Sequence, residues 1–219
     1  MKPQLLSINK MDFLVSLYIF CIVSAEMMGG KTFPLFDTSF IKLNASVTIF
    51  LIPLIFSIND VITEVYGPER TRSVIRSGFI IILLLFLFSL FATALPPSLR
   101  FEKSETAYDL IFKQGAKISF ASLVAFAVAD LMDVLIFIRI RKALGSKALW
   151  FRNNASNFLS QFLDTSLFMT LAFYDLNLSV HANGIFLGSL IIPYWLLKCT
   201  MSIIETPFVY LGINWLKKG

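Results

Sequence analysis

Six long apolar runs constrain this chain more than any other feature. They lie near residues 12–28, 43–66, 73–95, 116–138, 154–174 and 184–216. A helix needs about 20 mostly apolar residues to cross the hydrocarbon of a bilayer, and in lipid a helix satisfies all of its own backbone groups. The expected fold class is therefore an all-α membrane protein, a six-transmembrane-helix bundle forming a single polytopic domain over residues 1–219. Composition agrees, because only 15% of the residues are charged where soluble domains carry about 25%. The last run is the longest and contains Pro193, Lys198 and Pro207, which predicts a tilt, a kink or an extension past the membrane. Lys10 followed by Phe13 to Ala25 resembles the start of a signal peptide. Five further runs follow it, so it reads as an uncleaved first span.

Basic residues set the orientation. The net charge of +5 is spread in short blocks between apolar runs, a placement that suits membrane topology better than nucleic-acid binding. In a six-span arrangement Lys2, Lys10, Arg70, Arg72, Arg76, Arg139, Arg141, Lys142, Lys147, Arg152, Lys217 and Lys218 share one side. Lys31, Lys42, Arg100, Lys103, Lys113 and Lys117 share the other, diluted by Glu102, Glu105 and Asp109. The excess of Lys and Arg marks the cytoplasmic side, so both termini are expected in the cytoplasm of a multi-pass inner-membrane protein. A seventh span would put Lys217 and Lys218 outside.

Charges within or at the ends of the runs are the informative residues. Glu26, Asp60, Glu64, Asp130, Asp133, Asp164, Lys198 and Glu205 are all so placed, and a charge at a helix centre costs about 2.5–3.5 kcal/mol on insertion scales. They must face the interior or a wet cavity, pair, or be protonated. Their spacing favours a shared interior. Asp60 and Glu64 stand at i and i+4 beside Asn59 and Thr63; Asp130 and Asp133 stand at i and i+3. Gln161, Asp164 and Thr165 make a third polar stripe, and Lys198 and Glu205 lie seven apart on the last run. Residues so spaced share a helix face. One lysine does not neutralise this many acids, so some carboxyls are protonated or await a cationic or hydrogen-bond-donating ligand.

Other features bound the function. The only histidine, His181, leaves no His-based metal site or Ser-His triad, and no phosphate-binding Gly loop is present. No catalytic residue, metal or cofactor is expected, and the chain does not read as an enzyme. A paired-aspartate intramembrane enzyme is a lesser alternative, resting only on aspartates in different spans. Cys21 and Cys199 lie in apolar runs without metal-ligand spacing and read as packing residues. Rows of small residues, Ala121, Ala125 and Ala129 in the fourth run and Cys21, Ala25 and Gly29 in the first, allow close helix approach. They serve either packing within the bundle or docking of a partner. The segment 29–42, with its Gly, Pro and aromatics, is either a cover over the outer mouth or an ordinary connector.

Four segments carry a family resemblance. Asn59-Asp60-Val61-Ile62-Thr63-Glu64-Val65-Tyr66-Gly67 with Arg70 and Arg72, Leu131-Met132-Asp133-Val134 with Phe137 and Arg141, Ser160-Gln161-Phe162-Leu163-Asp164-Thr165, and Tyr194, Lys198, Thr206-Pro207 and Tyr210 occur in order. Together, over about 55–212, they resemble the bacterial queuosine precursor transporters, once grouped as vitamin uptake transporters. The resemblance implies a six-helix bundle similar to the substrate-binding subunits of energy-coupling-factor vitamin transporters. It also implies import of a 7-deazaguanine base, either the cyano or aminomethyl precursor of queuosine or queuine, for salvage into tRNA modification. With the polar stripes, it points to Asp60, Asp133, Asp164 and Lys198 as the substrate-binding residues, supported by Gln161, Asn59 and Glu64. The expected partners are the small 7-deazapurine and the lipid bilayer, not nucleic acid, with a homodimer or an energising subunit as further options. An energised binding subunit is the alternative to a solitary transporter.

Overall fold

The computed structural model describes residues 9–37, 42–144 and 149–217, without the side chains of 130–131, 133–138, 140–144, 149–157 and 201–206. Its described elements are helix α1 (Lys10–Met28), strands β1 (Thr32–Asp37) and β2 (Lys42–Ser46), a 3-10 turn (Val47–Phe50), and helices α2 (Ile52–Tyr66), α3 (Pro68–Ala94), α4 (Glu102–Leu144), α5 (Leu149–Phe173) and α6 (Val180–Lys217). Among the described residues, five stretches are helical, long and apolar enough to cross a membrane: Lys10–Met28, Val47–Tyr66, Pro68–Ala94, Glu102–Ala129 and Val180–Thr200. Within α5 the apolar stretch Phe158–Phe173 is shorter.

Local chemistry explains where these helices begin and end. Asn9 caps α1, its side-chain oxygen accepting from the backbone N–H of Met11 at 2.9 Å, which satisfies a donor the first turn otherwise leaves free. The run expected at 43–66 does not form one helix. Residues 42–46 pair instead as β2, antiparallel to β1, with Thr32 opposite Ser46 and a register shift between Pro34 and Phe36. Pro34 has no N–H for the ladder, which suits a bulge. Ser46 then caps the 3-10 turn, and Pro53 in the first turn of α2 fixes the helix start.

One glycine joins α2 to α3. Gly67 sits at φ 85° and ψ 163°, a region essentially closed to residues with a Cβ, and Pro68 opens α3 immediately after it. Arg70, Arg72 and Arg76 therefore lie on the exposed first turns of α3 rather than in a loop. Nothing lies within 4 Å of a Cβ added at Gly67, so substitution meets backbone strain alone. Gly67→Ala is expected to destabilise the protein by about 1–3 kcal/mol, read as a lower midpoint of thermal unfolding in detergent; an unchanged midpoint would remove the argument for strain.

At 43 residues, α4 is about 64 Å long at 1.5 Å per residue, twice the hydrocarbon thickness of ~30 Å. Its early turns carry a Lys113–Asp109 pair at 2.6 Å. α6 passes through Pro193 and Pro207 as a single helix. Its start is tied to the α5–α6 turn by Asn183, whose amide donates to the carbonyls of Asp175, Leu178 and Ser179 and whose oxygen accepts from the Asp175 N–H.

α4 packs against α5, α3 and α1, and α2 packs against α6 and α3. One apolar core joins Leu14, Tyr18 and Ile22 of α1 to Ile58, Val61 and Ile62 of α2 and Val74 and Ile82 of α3. A second joins Ala45 of the hairpin to Met169 of α5 and Leu187, Leu190 and Tyr194 of α6. Large side chains such as Phe20, Ile80, Leu84, Phe88, Ile185 and Leu196 are exposed, as expected of helices whose outer faces meet lipid. The small-residue rows are spent on packing: Cys21 and Ala121 are fully buried, and Ala125 nearly so. Ala25 and Ala129 of the same rows are only partly buried.

The first turn of α1 meets the last turn of α6. Lys10 Nζ donates to the Trp215 carbonyl at 2.6 Å, lies over the Trp215 ring, and Phe13 meets that ring edge-on. The start of α1 and the end of α6 therefore share one end of the bundle.

Candidate functional site

The polar stripe of α5 meets the lysine of α6. Lys198 Nζ donates to Asp164 Oδ2 at 2.7 Å, with the two side chains 18% and 31% exposed. The two residues are held in place by their neighbours along the same helices. One turn before Asp164, Gln161 Oε1 accepts from the Cys199 thiol at 3.9 Å. Further along, Trp195 Nε1 donates to the Phe158 carbonyl at 3.1 Å, and its ring is set edge-on between Phe158 and Phe162. These contacts lock α5 to α6 around the ion pair. In low-dielectric surroundings such a pair satisfies both charges only while both partners stay. The partial exposure leaves it reachable by a small polar ligand.

Asp164 also borders an open cavity of about 400 Å³ between α4 and α5. Its other walls are Val128, Ala129, Met132, Leu163, Ser166, Leu167 and Thr170, so the carboxylate sits at the edge of a mostly apolar groove.

Other expected site residues are placed differently. Asp60 and Glu64 are exposed on α2. The buried face of that helix is taken by Ser57, Ile58, Val61 and Ile62, and apolar burial against α1 and α3 decides its rotation. The shared face expected for Asp60 and Glu64 therefore exists but is not turned into the core, and neither residue pairs with Lys198 among the described ion pairs. Asn59 is partly buried; its Oδ1 is fully buried and has no hydrogen-bond partner, with Tyr18 of α1 beside it. Thr63 bonds back to the Asn59 carbonyl at 2.7 Å and meets Thr71 of α3 at 2.8 Å. Asp130, Asp133 and Glu205 lie outside the residues whose side chains are described. Among the described residues, no group of three or more His, Cys, Asp or Glu has the arrangement of a metal site.

The hairpin is anchored over α6. Tyr194 is buried, its hydroxyl donating to the Ser46 carbonyl at 2.8 Å and lying 2.7 Å from the Thr48 hydroxyl. Asn44 Nδ2 donates to Ser189 at 2.7 Å. Strand β2 is thus held against α6, beyond the end of α1 remote from Lys10. Tyr194 serves this anchorage, so its ring is not free to stack on a solute.

One buried acid falls outside the expected set. Glu26 of α1 is 6% exposed and faces the hydroxyls of Ser119 and Ser122 on α4. Its nearness to the end of the first apolar run made it resemble an interfacial residue. Periodicity alone does not reveal that β1 and β2 fold over that end.

Comparison with known proteins identifies the family. A family described as "Putative vitamin uptake transporter" matches residues 46–212. A Bacillus subtilis protein named "Probable queuosine precursor transporter" is 31% identical over 192 residues, covering 87% of this chain and 79% of the relative. A Haemophilus influenzae protein of the same name is 29% identical over 125 residues, 56% of this chain, and the match spans about half of that relative, 49%. No solved structure matches the chain. The apolar helices with exposed outer faces, together with a match across three-quarters of the sequence, make this chain a multi-pass membrane protein that belongs to the vitamin uptake transporter family.

Proposed function

We propose that the chain imports 7-deazaguanine bases, the precursors of queuosine, as a single six-span domain with both termini in the cytoplasm. The names of the relatives supply the solute class. The adjacency of Lys10 and Trp215 supports the topology, because an even number of crossings returns the chain to the side where it began. α5 is then the remaining crossing, its 25 residues being long enough to span the hydrocarbon.

The Lys198–Asp164 pair carries the reading. A deazaguanine presents a ring N–H and an exocyclic amine side by side, which a carboxylate accepts together, and a carbonyl oxygen beside them that takes a hydrogen bond from an ammonium. The base can therefore enter between the two side chains and exchange one ion pair for two sets of charge-assisted hydrogen bonds. Gln161 supplies a further amide at the same level. The site is then exposed alternately to the two sides, as in carriers that bind solute near the midplane.

The test is uptake of labelled 7-cyano-7-deazaguanine by cells unable to make it, with queuosine in tRNA as the endpoint. Asp164→Asn keeps the shape and loses the charge. Hydrogen bonds to a charged group contribute about 1.5–3 kcal/mol, so apparent affinity is expected to fall about 10- to 100-fold. Wild-type uptake in Asp164→Asn would remove this residue from the site.

A further inference from the structure

The second buried polar centre of the bundle is Glu26. It is separate in the fold from the Asp164–Lys198 pair, lying on the α1–α4 contact rather than the α5–α6 one. Among the described residues its buried Oε2 makes no hydrogen bond of good geometry, nor does Ser119 Oγ, although the Ser119 and Ser122 hydroxyls stand close enough to interact with the carboxyl. Ser119 is fully buried, and Ser122 stands one turn further along α4. Buried polar atoms are nearly always well partnered, so two such atoms at one place need an explanation.

No cation supplies one among the described residues. On α4 the flanking Lys113 is bound to Asp109 and Lys117 to the Tyr174 carbonyl. Lys31, at the start of the hairpin segment, is exposed, and Lys42 pairs with Asp37. α3 carries no titratable residue from Phe79 to Leu95. The acids of α2, Asp60 and Glu64, are exposed, and the titratable neighbours on α1 itself are Tyr18 and Cys21. An ionised carboxylate here would lie in a dry interface with no opposite charge, an expensive state. A proton removes that uncompensated charge, and the neutral acid can still share hydrogen bonds with the Ser119 and Ser122 hydroxyls beside it.

We propose that Glu26, with Ser119 and Ser122, is a proton-binding site that couples solute import to the proton gradient. This rests on the reading of the chain as a transporter. Glu26 takes a proton from water when the hairpin end of the bundle is open and returns it to water at the opposite end when the α1–α4 contact is wetted from that side. No bond other than O–H forms or breaks. The neutral acid is the form that fits the closed, dry contact, so the helices close over Glu26 only when it is loaded.

Two measurements on the purified full chain test this. In liposomes with an acidic exterior, a one-proton symporter accumulates labelled 7-cyano-7-deazaguanine about tenfold per imposed pH unit. Glu26→Gln is expected to bring the accumulation ratio down to about one, and Glu26→Asp to retain accumulation. Separately, infrared spectra at neutral pH are expected to show a protonated-carboxyl band that Glu26→Gln removes. Gradient-driven accumulation by Glu26→Gln, or the lack of such a band in the wild type, would overturn the proton site. Absence of any deazaguanine movement by the wild type would instead overturn the solute assignment, and the infrared band would still decide the role of Glu26.

Discussion

Lys198→Met is expected to abolish uptake and also to lower the yield of folded protein, whereas adding Asp164→Leu restores the yield and not the uptake. The single change leaves Asp164 charged and without its 2.7 Å partner. Breaking a buried pair by removing one partner destabilises by about 3–5 kcal/mol, and partial exposure of this pair places the effect toward the low end. The double change removes both charges and leaves apolar side chains of similar reach between α5 and α6, an exchange that is often neutral for folding. Detergent-extracted yield and midpoint of thermal unfolding read the structural effect, and solute uptake reads the functional one. If the double variant transports, the pair is only a structural clasp and the solute binds elsewhere.

Gly78→Leu is expected to be the most disruptive substitution on the α1–α3 contact, and Gly78→Ala nearly tolerated. A Cβ at this position lies 2.8 Å from Ile22 Cδ1 and 3.2 Å from Tyr18 Cε1. The Ile22 methyl is the end of a flexible side chain and can shift for a single carbon. A leucine pushes three more carbons into a core that already holds Leu14, Tyr18, Ile58 and Ile62. Overpacking of this kind costs about 1–3 kcal/mol and more where backbones must part. The midpoint of thermal unfolding should fall in the order wild type, Ala, Leu; equal midpoints for Ala and Leu would mean that α1 and α3 separate freely.

Much of the fold was legible because hydropathy reports membrane crossing directly. The first and third runs correspond closely to α1 and α3, and the long last run is one continuous helix. What the pattern missed follows from contacts distant in sequence. Leu43, Asn44, Ala45 and Ser46 are apolar enough on average to extend a membrane run. Their strand conformation is held by Tyr194 and Ser189 about 145 positions away. The site was legible in the same uneven way. Helical spacing correctly grouped Asp60 with Glu64, but which way that face turns was decided by the packing of Val61 and Ile62. Charge scarcity made Lys198 stand out, yet its choice of Asp164 among many acids is a property of how α5 and α6 cross. Glu26 was undervalued because burial at the end of a span depends on the fold of the next segment.

The Lys198–Asp164 pair also bears on how the chain enters the membrane during synthesis. Either helix inserting alone brings an unpaired charge into the hydrocarbon, at about 2.5–3.5 kcal/mol each. The connection between α5 and α6, residues 174–179, is short and is fastened by the four hydrogen bonds of Asn183. The two helices are thus joined as a hairpin whose charges meet before either must face lipid. The last two helices can leave the insertion machinery as one hairpin in which these two charges cancel, so Asp164 and Lys198 carry each other into the membrane.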